Sequence, residues 1–519
     1  MPVVRSYLAD FAETLRHKAA VIDDRPGAPV TTWTWAELNR EANQLAHVLL
    51  GLGVKPGEKV VWCGPNSPGV LRVVHALPKI GAVMVPLNYR FTADEAAYVI
   101  GNSDATVVYT DAEQAGLLAR IRHAVPHVRH IVVFGGPAGP GMLSCDALLA
   151  RAADAEPEVD VPVGTPASML YTSGTTGRPK GAVRLPTDPS QARPLLEVCG
   201  NRPEDIYITT GPLYHSGPLG YMGLGQRLGN TVILQRRFDP EDWLRLVAKY
   251  RVSMTFSAPA PIRMICALPD DVKRRYDVSS MKRMVANAAP WSMALKEAYM
   301  RDFGEDSLWE VYGSTELGVD TVLAPGDHRK RPGSCGRALP SVEIRLYGED
   351  GREILEPDVP GEVFVKSPNT FVGYYKAESA TTAARRGDFA SVGDVAYRDV
   401  DGFYYICDRK SDMIISGGMN IYPAEIEAVL ERHPDIADVA VFGIPSDEWG
   451  ESVHAVVVAR PGRAVAPEDV MTFARKDLAG YKTPRSVTFA AEIPRTGSGK
   501  ILKRVLREPF WQGRRARVS

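Results

Sequence analysis

Residues 171–183 read Tyr-Thr-Ser-Gly-Thr-Thr-Gly-Arg-Pro-Lys-Gly-Ala-Val and follow directly on the short run Ser168-Met169-Leu170. The run has strand character, and the loop it feeds is built to wrap anionic oxygens. Glycine lets successive backbone N–H groups turn inward around a phosphate. Ser173, Thr175 and Thr176 add hydroxyl donors between Gly174 and Gly177, and Lys180 adds a point charge suited to phosphate. The loop is not a Walker A loop, because Pro179 precedes the lysine and Gly181 stands where that motif requires Ser or Thr. Its spacing also fails the dinucleotide fingerprint. Nucleotide chemistry in an α/β setting is the reading that remains.

The chain has 519 residues, more than one hydrophobic core normally serves, so two or more domains are expected. A formal net charge of -1 supplies no field that would select nucleic acid or an anionic membrane. No apolar run reaches transmembrane length; Val70–Leu87 comes closest and is broken by Arg72, His75 and Lys79. The N-terminus carries no secretory signal pattern, so the cytoplasm is the default location. Six scattered cysteines form no CxxC pair and the histidines no HExxH, which argues against a disulfide framework and a structural metal.

Hydrophobic periodicity predicts a helix over 35–50, a strand at 60–62, and a helix from Pro68 to Leu77 that Pro78 ends or kinks. Strands at 82–87, 104–109 and 131–134, with a helix at 113–124, give a βαβ rhythm and a mainly parallel sheet. Residues 340–408 change to short strands between Gly, Pro and Asp turns, a small β-rich module. Beyond them a helix opening at Pro423, strands at 439–442, 453–458 and 487–489, and helices near 467–479 and 500–508 form another unit. Pro186 and Pro189 disfavour a helix immediately after the phosphate loop.

Several ordered motifs make the chain resemble the adenylate-forming acyl-CoA synthetases, the superfamily that includes peptide-synthetase adenylation domains and beetle luciferases. They are Thr172–Lys180, Ala286-Asn287-Ala288-Ala289-Pro290, Tyr312-Gly313-Ser314-Thr315-Glu316, Val392-Gly393-Asp394, Asp408-Arg409, Ile415–Glu427 and Thr496-Gly497-Ser498-Gly499-Lys500. The resemblance implies an α/β fold: a large N-terminal domain (1–408) with mainly parallel sheets and a β-rich subdomain, a hinge at 409–411, and a small mobile C-terminal α+β domain (412–519). It implies that Thr172, Ser173, Gly174, Thr175, Thr176, Gly177 and Lys180 enclose the ATP phosphates. Tyr312, Gly313 and Ala288 would border the adenine. Asp394 would accept from the ribose hydroxyls, and Arg409 would donate to ribose or phosphate oxygens. Thr315 would donate to phosphate, Glu316 would hold magnesium, and Lys500 would meet the acyl carboxylate and the α-phosphate.

By the same resemblance, His215, Gly220, Met222, Ser257 and Asn287 line the acyl pocket, and Gly417 and Gly418 form the pantetheine tunnel after domain rotation. The small or apolar character of most of these positions favours an apolar acid. Two departures stand out: relatives often carry a glycine pair where Ala288 and Ala289 stand, and a hinge Lys or Asp where Ser411 stands. The implied reaction joins a carboxylic acid to ATP as acyl-AMP, with Mg2+, and passes the acyl group to CoA. Transfer to a carrier protein, a luciferase-like oxygenation and a non-catalytic nucleotide sensor are the competing readings. A homodimer is compatible with such a chain.

Overall fold

The computed structural model describes residues 6–172, 178–289, 291–417, 419–496 and 500–512. Four sheets organise them. An eight-stranded sheet runs in the order Gly373–Tyr374, Lys180–Arg184, Ser168–Thr172, Val83–Leu87, Lys59–Cys63, Val107–Asp111, His130–Phe134 and Leu143–Ser144. Its strands from Ser168–Thr172 outward are parallel, and the two at the Lys180 end are antiparallel. A nine-stranded sheet has a parallel centre, Leu308–Ser314, Arg283–Ala286, Met254–Ser257, Ile206–Thr209, Thr231–Leu234 and Ala19–Asp23, with antiparallel strands at both edges. The expectation of mainly parallel sheets therefore holds in the sheet centres. The exceptions are hairpins, which a short turn can close without a crossover helix, and the edge strand Gly373–Tyr374, which pairs antiparallel with Lys180–Arg184 from far along the chain.

Helices Trp35–Gly51 and Pro68–Lys79 carry the principal core, which joins both large sheets through buried Trp35, Leu38, Trp62, Tyr207 and Val232. The first of these helices starts where Thr34 and Glu37 form a reciprocal capping box. Pro78 does not stop the second at Leu77; it sits in the last turn, and the helix closes at Lys79. The strand expected at 104–109 begins at Val107, because Asp104 adopts a left-handed conformation (φ 56°) that ends the preceding helix. After the phosphate-loop strand a helix does form, but only from Pro189, where Asp188 caps it and the proline occupies the first turn.

A six-stranded antiparallel sheet contains Glu343–Tyr347, Gly361–Lys366, Asp394–Arg398 and Tyr404–Arg409, the β-rich module. The chain leaves it at Arg409, turns through Lys410–Met413, and enters a separate five-stranded sheet built on the long hairpin Ile436–Ser446 and Gly450–Ala459. That sheet has its own core of Ile414, Ile426, Leu430, Val441 and Val457. The molecule is thus a large mixed α/β domain followed by a smaller α+β domain. No helix among the described residues is long and apolar enough to cross a membrane.

Candidate active site

A cleft of about 3490 Å³ lies between the two large sheets and the C-terminal domain. It is lined by Thr172, Lys180, His215, Gly220, Asn287, Ala288, Tyr312, Gly313, Thr315, Glu316, Asp394, Arg409 and Lys500, which come from distant parts of the chain.

Strands Leu308–Ser314 and Gly318–Leu323 pair antiparallel, and the turn between them presents Thr315 and Glu316. The hairpin closes only with glycine at position 313, where a Cβ would lie 2.0 Å from the Gly318 carbonyl oxygen. Glu316 is buried, and its Oε1 accepts from Thr172 Oγ1 (2.9 Å) and Tyr374 Oη (3.0 Å). Its Oε2 has no hydrogen-bond partner among the described residues, leaving a carboxylate oxygen of the kind hard cations bind. Thr315 Oγ1 shares a hydrogen bond with Ser216 Oγ (2.7 Å), and its carbonyl accepts from Arg184. Arg184 also donates to Asn369 O (2.7 Å), and burial pulls its pKa below the usual guanidinium value. Lys180 lies with Nζ 5.4 Å from the centre of the Tyr374 ring. Arg184, Ser216 and Tyr374 are additions to the sequence-predicted set; the alternation of the strand after the phosphate loop was the only signal that could have marked Arg184.

On the opposite wall Asp394 opens the strand Asp394–Arg398. Its Oδ2 accepts from Tyr312 Oη (2.8 Å) and its Oδ1 from Arg409 Nε (3.2 Å). The aromatic ring, the carboxylate and the guanidinium are thereby fixed to one another. Lys500 enters from the C-terminal domain, held by a small loop in which Thr496 N donates to Lys500 O (2.7 Å) and Lys500 N to Thr496 Oγ1 (3.1 Å). Burial, reinforced by the Arg409 charge, pulls the Lys500 pKa down to about 8, against the opposing pull of Asp394, Asp412 and Glu316. The lysine therefore shares an electrostatic environment with Arg409, Asp394 and Glu316 while remaining protonated at neutral pH.

Asn287 Nδ2 donates to Val311 O (2.9 Å) and its Oδ1 accepts from Ala288 N, which tie the segment to the neighbouring strand. Ala288 holds φ 73°, a conformation suited to glycine. His215 ends in a buried Nε2 with no protein partner, and burial with the nearby Arg90 charge lowers its pKa to about 4. It is a neutral imidazole at neutral pH.

Three expected positions lie off the cleft. Met222 is fully buried in the core, because the cleft-facing side of helix Ser216–Arg227 runs through Ser216, Gly220 and Gly223 and its 3.6-residue period turns Met222 toward the sheet. Ser257, also buried, spends its hydroxyl on Ala258 O (2.8 Å) instead of facing the acyl space. Gly417 (φ 58°) packs under Trp449, whose ring would be 2.8 Å from a Cβ there, and lies outside the cleft lining. Ser173, Gly174, Thr175, Thr176, Gly177 and Gly418 fall outside the described residues.

Known proteins resemble this chain along most of its length. Residues 8–375 match the family model described as AMP-binding enzyme, and residues 425–500 match the AMP-binding enzyme C-terminal domain. The chain is 35% identical over 514 residues to a feruloyl-CoA synthase of Amycolatopsis sp, covering 98% of each protein. It is 34% identical to a fatty acid–[acyl-carrier-protein] ligase of Streptomyces coeruleorubidus, covering 92% of each. Among solved structures, an anthranilate CoA ligase in complex with anthranoyl-AMP superposes with a TM-score of 0.88 at 25% identity, covering 97% of this chain and 96% of the other.

Proposed function

Because the chain belongs to the AMP-binding enzyme family, we propose that the cleft activates a carboxylic acid with ATP as acyl-AMP and passes the acyl group to CoA, releasing AMP and pyrophosphate. The observation that carries this reading is that Lys500, half-buried and with its pKa lowered to about 8, lines the same cleft as Arg409, Asp394 and Glu316. A cation so placed can stabilise negative charge that develops as the acid carboxylate attacks the α-phosphorus.

The geometry supports the following assignment of parts. Asp394, already accepting from Tyr312 and Arg409, has the acceptor character a ribose diol requires. Tyr312 offers a ring face to the base. Thr172 and Lys180, at the two ends of the phosphate loop, supply a hydroxyl and a charge to phosphate oxygens, and Thr315 supplies a second hydroxyl. Glu316 fits magnesium through its unengaged Oε2; the ion, when bound with ATP, would neutralise phosphate charge. Neutral His215 can border the carboxylate without adding a fixed charge, and Gly220 leaves space for the acyl body. No protein nucleophile is assigned. Burial raises the thiol pKa at all six cysteines, so none is set up as a thiolate.

We place the hinge at residues 409–411, where the chain passes from one sheet to the next. Rotation there would withdraw Lys500 and bring the Gly417-Gly418 turn toward the acyl-adenylate for thiol attack. The position of Gly417 outside the cleft while Lys500 lies inside it accords with the adenylating arrangement. The test is AMP formation from ATP and Mg2+ across fatty, aromatic and polycyclic acids, with and without CoA, followed by product mass. An acyl-CoA product that depends on CoA supports the proposal. Acyl-AMP that accumulates regardless of CoA and discharges onto a holo-carrier protein would make that carrier's thiol, not CoA, the acceptor.

A further inference from the structure

The helix Ser216–Arg227 forms one wall of the cleft, and its exposed face changes character along its length. Ser216 hydrogen-bonds Thr315, the neighbour of Glu316, and so marks the end of the helix toward the reacting groups. Gly220 and Gly223 follow on the same face, and a Cβ built on either would meet nothing within 4 Å. The face ends at Arg227, which also lines the cleft. At a rise of about 1.5 Å per residue, Arg227 stands roughly 16 Å beyond Ser216. The glycine-bearing face of the helix, the glycine channel, therefore leads along the cleft from Ser216 toward a guanidinium.

The far end is rich in donors that the protein leaves unused. Among the described residues the Arg227 side chain makes no hydrogen bond or ion pair; its Cζ lies 5.6 Å from the centre of the Tyr7 ring, and its charge also bears on His75. Beside it, Gln226 is 0% exposed and lines the cleft, and its Nε2 has no hydrogen-bond partner among the described residues. That amide is held from behind by His75. His75 Nε2 bonds Gln226 Oε1 at 2.9 Å, and Tyr7 Oη bonds His75 Nδ1 at 3.4 Å. Burial lowers the His75 pKa to about 4, so the imidazole is neutral and carries one N–H. When the tyrosine hydroxyl donates to Nδ1, that N–H lies on Nε2 and engages the amide oxygen. The amide nitrogen is left with its donors free. The other charged groups at this end are Lys79, held by Glu156 (2.6 Å) and Asn39 (2.9 Å), and Asp10, on the first helix. A buried donor without an acceptor costs about 1–3 kcal/mol, and such donors are normally satisfied by something.

We propose that Gln226 and Arg227 form a subsite for an acceptor oxygen at the far end of the acyl group, so that the enzyme prefers acids with a hydroxyl, keto or second carboxyl oxygen remote from the reacting carboxylate. This rests on the acid-activating reading above and narrows it. A plain alkyl chain can occupy the glycine channel but leaves the donors at its end unpaired. An acid of matching length with a terminal oxygen satisfies them. Gln226 and Arg227 are specificity residues for this end of the substrate and take no part in the chemistry.

The experiment compares dodecanoate, ω-hydroxydodecanoate and dodecanedioate in pyrophosphate release by the full chain, with binding of each acid measured by calorimetry. The expected result is a kcat/KM at least about tenfold higher for an oxygenated acid than for dodecanoate, a gap equivalent to one good hydrogen bond to a charged group. Preference for the diacid alone assigns the subsite to a carboxylate through Arg227; preference for the hydroxy acid as well assigns it to neutral oxygen. Arg227→Met and Gln226→Leu should each shrink the ratio toward one, with KM for the oxygenated acid carrying the change. Arg227 is half-exposed, so its variant stays informative where Gln226→Leu disturbs folding. Equal or better use of dodecanoate by the unaltered protein, or a ratio unchanged in Arg227→Met, overturns the proposal. Tighter calorimetric binding of an oxygenated acid without pyrophosphate release would sink the ligase reading and keep the subsite. Pyrophosphate release with no preference would do the reverse.

Discussion

At the scale of single residues, Lys500 and Ala288 each carry a consequence that can be measured. Lys500 is the group whose charge matters to only one half-reaction of the proposed cycle. Lys500→Ala should slow adenylation by about 10²–10³-fold, the usual loss on removing one preorganised donor from a developing anion. It should leave thioesterification of supplied acyl-AMP little changed, and equal losses in both steps would remove the assignment. The pH dependence has a definite sign. With its pKa lowered to about 8, Lys500 is charged below that value and neutral above it, so the pyrophosphate burst should fall as pH rises through about 8. Lys500→Arg keeps a permanent charge and should lose that alkaline limb even if the burst is weaker. Ala288 is a question of backbone conformation. At φ 73° an L-residue is disfavoured by about 1–2 kcal/mol, while replacing it with glycine frees the unfolded chain by about 0.4–1 kcal/mol. Ala288→Gly should therefore raise stability by up to about 1 kcal/mol, seen as a small upward shift of the thermal midpoint; a lower midpoint would show that the methyl packs favourably.

At the scale of elements, one helix contains two glycines with opposite demands. A Cβ at Gly217 would sit 2.4 Å from the Phe256 ring, whereas one at Gly220 meets open space. Gly217→Ala should cost about 1–3 kcal/mol through overpacking. Gly220→Ala should be neutral or stabilising by up to about 1 kcal/mol, because alanine loses less entropy in a helix. Denaturant midpoints of the two variants measure this, and equal shifts would contradict the packing. The same helix shows what a sequence can and cannot reveal. Its position after Tyr214-His215 is legible, as is helix Trp35–Gly51 from its cap and apolar period. Which face meets the cleft is set by the sheet beneath it, so Met222 and Gly220 could not be told apart. The Glu316 cluster was half-legible for a similar reason. Thr315 and Glu316 lie in one motif, but Tyr374 reaches Glu316 only because its short strand pairs with Lys180–Arg184 across the sheet edge. Long-range register of this kind leaves no local trace.

At the scale of the whole molecule, the two domains meet through a buried charge cluster next to the proposed hinge. Lys503, the first residue of helix Lys503–Trp511, lies 2.9 Å from Glu427 and 3.9 Å from Asp408. Asp408 belongs to the last strand of the large domain's β-rich sheet and also caps the helix that starts at Pro423, accepting from Ala424 N (3.0 Å). Burial raises the pKa of both carboxyls, and the Lys503 charge works against that rise. Rotation about residues 409–411 would keep Lys503 with Glu427, since both ride on the small domain, and separate them from Asp408. Lys503→Met deletes the cation and leaves two buried carboxyls uncompensated, which should cost about 3–5 kcal/mol. The loss should depend on pH in a fixed direction. Without Lys503 the folded-state pKa values of Asp408 and Glu427 rise further above their unfolded values, so the native state binds more protons than the unfolded chain. The stability that this protonation restores is present at low pH and lost as pH rises through the raised values. The gap between Lys503→Met and the unaltered protein should therefore be smaller at pH 5 than at pH 8 in denaturant titrations. A gap that is constant with pH would mean that solvent already neutralises the cluster, and the junction would then be held by apolar packing alone.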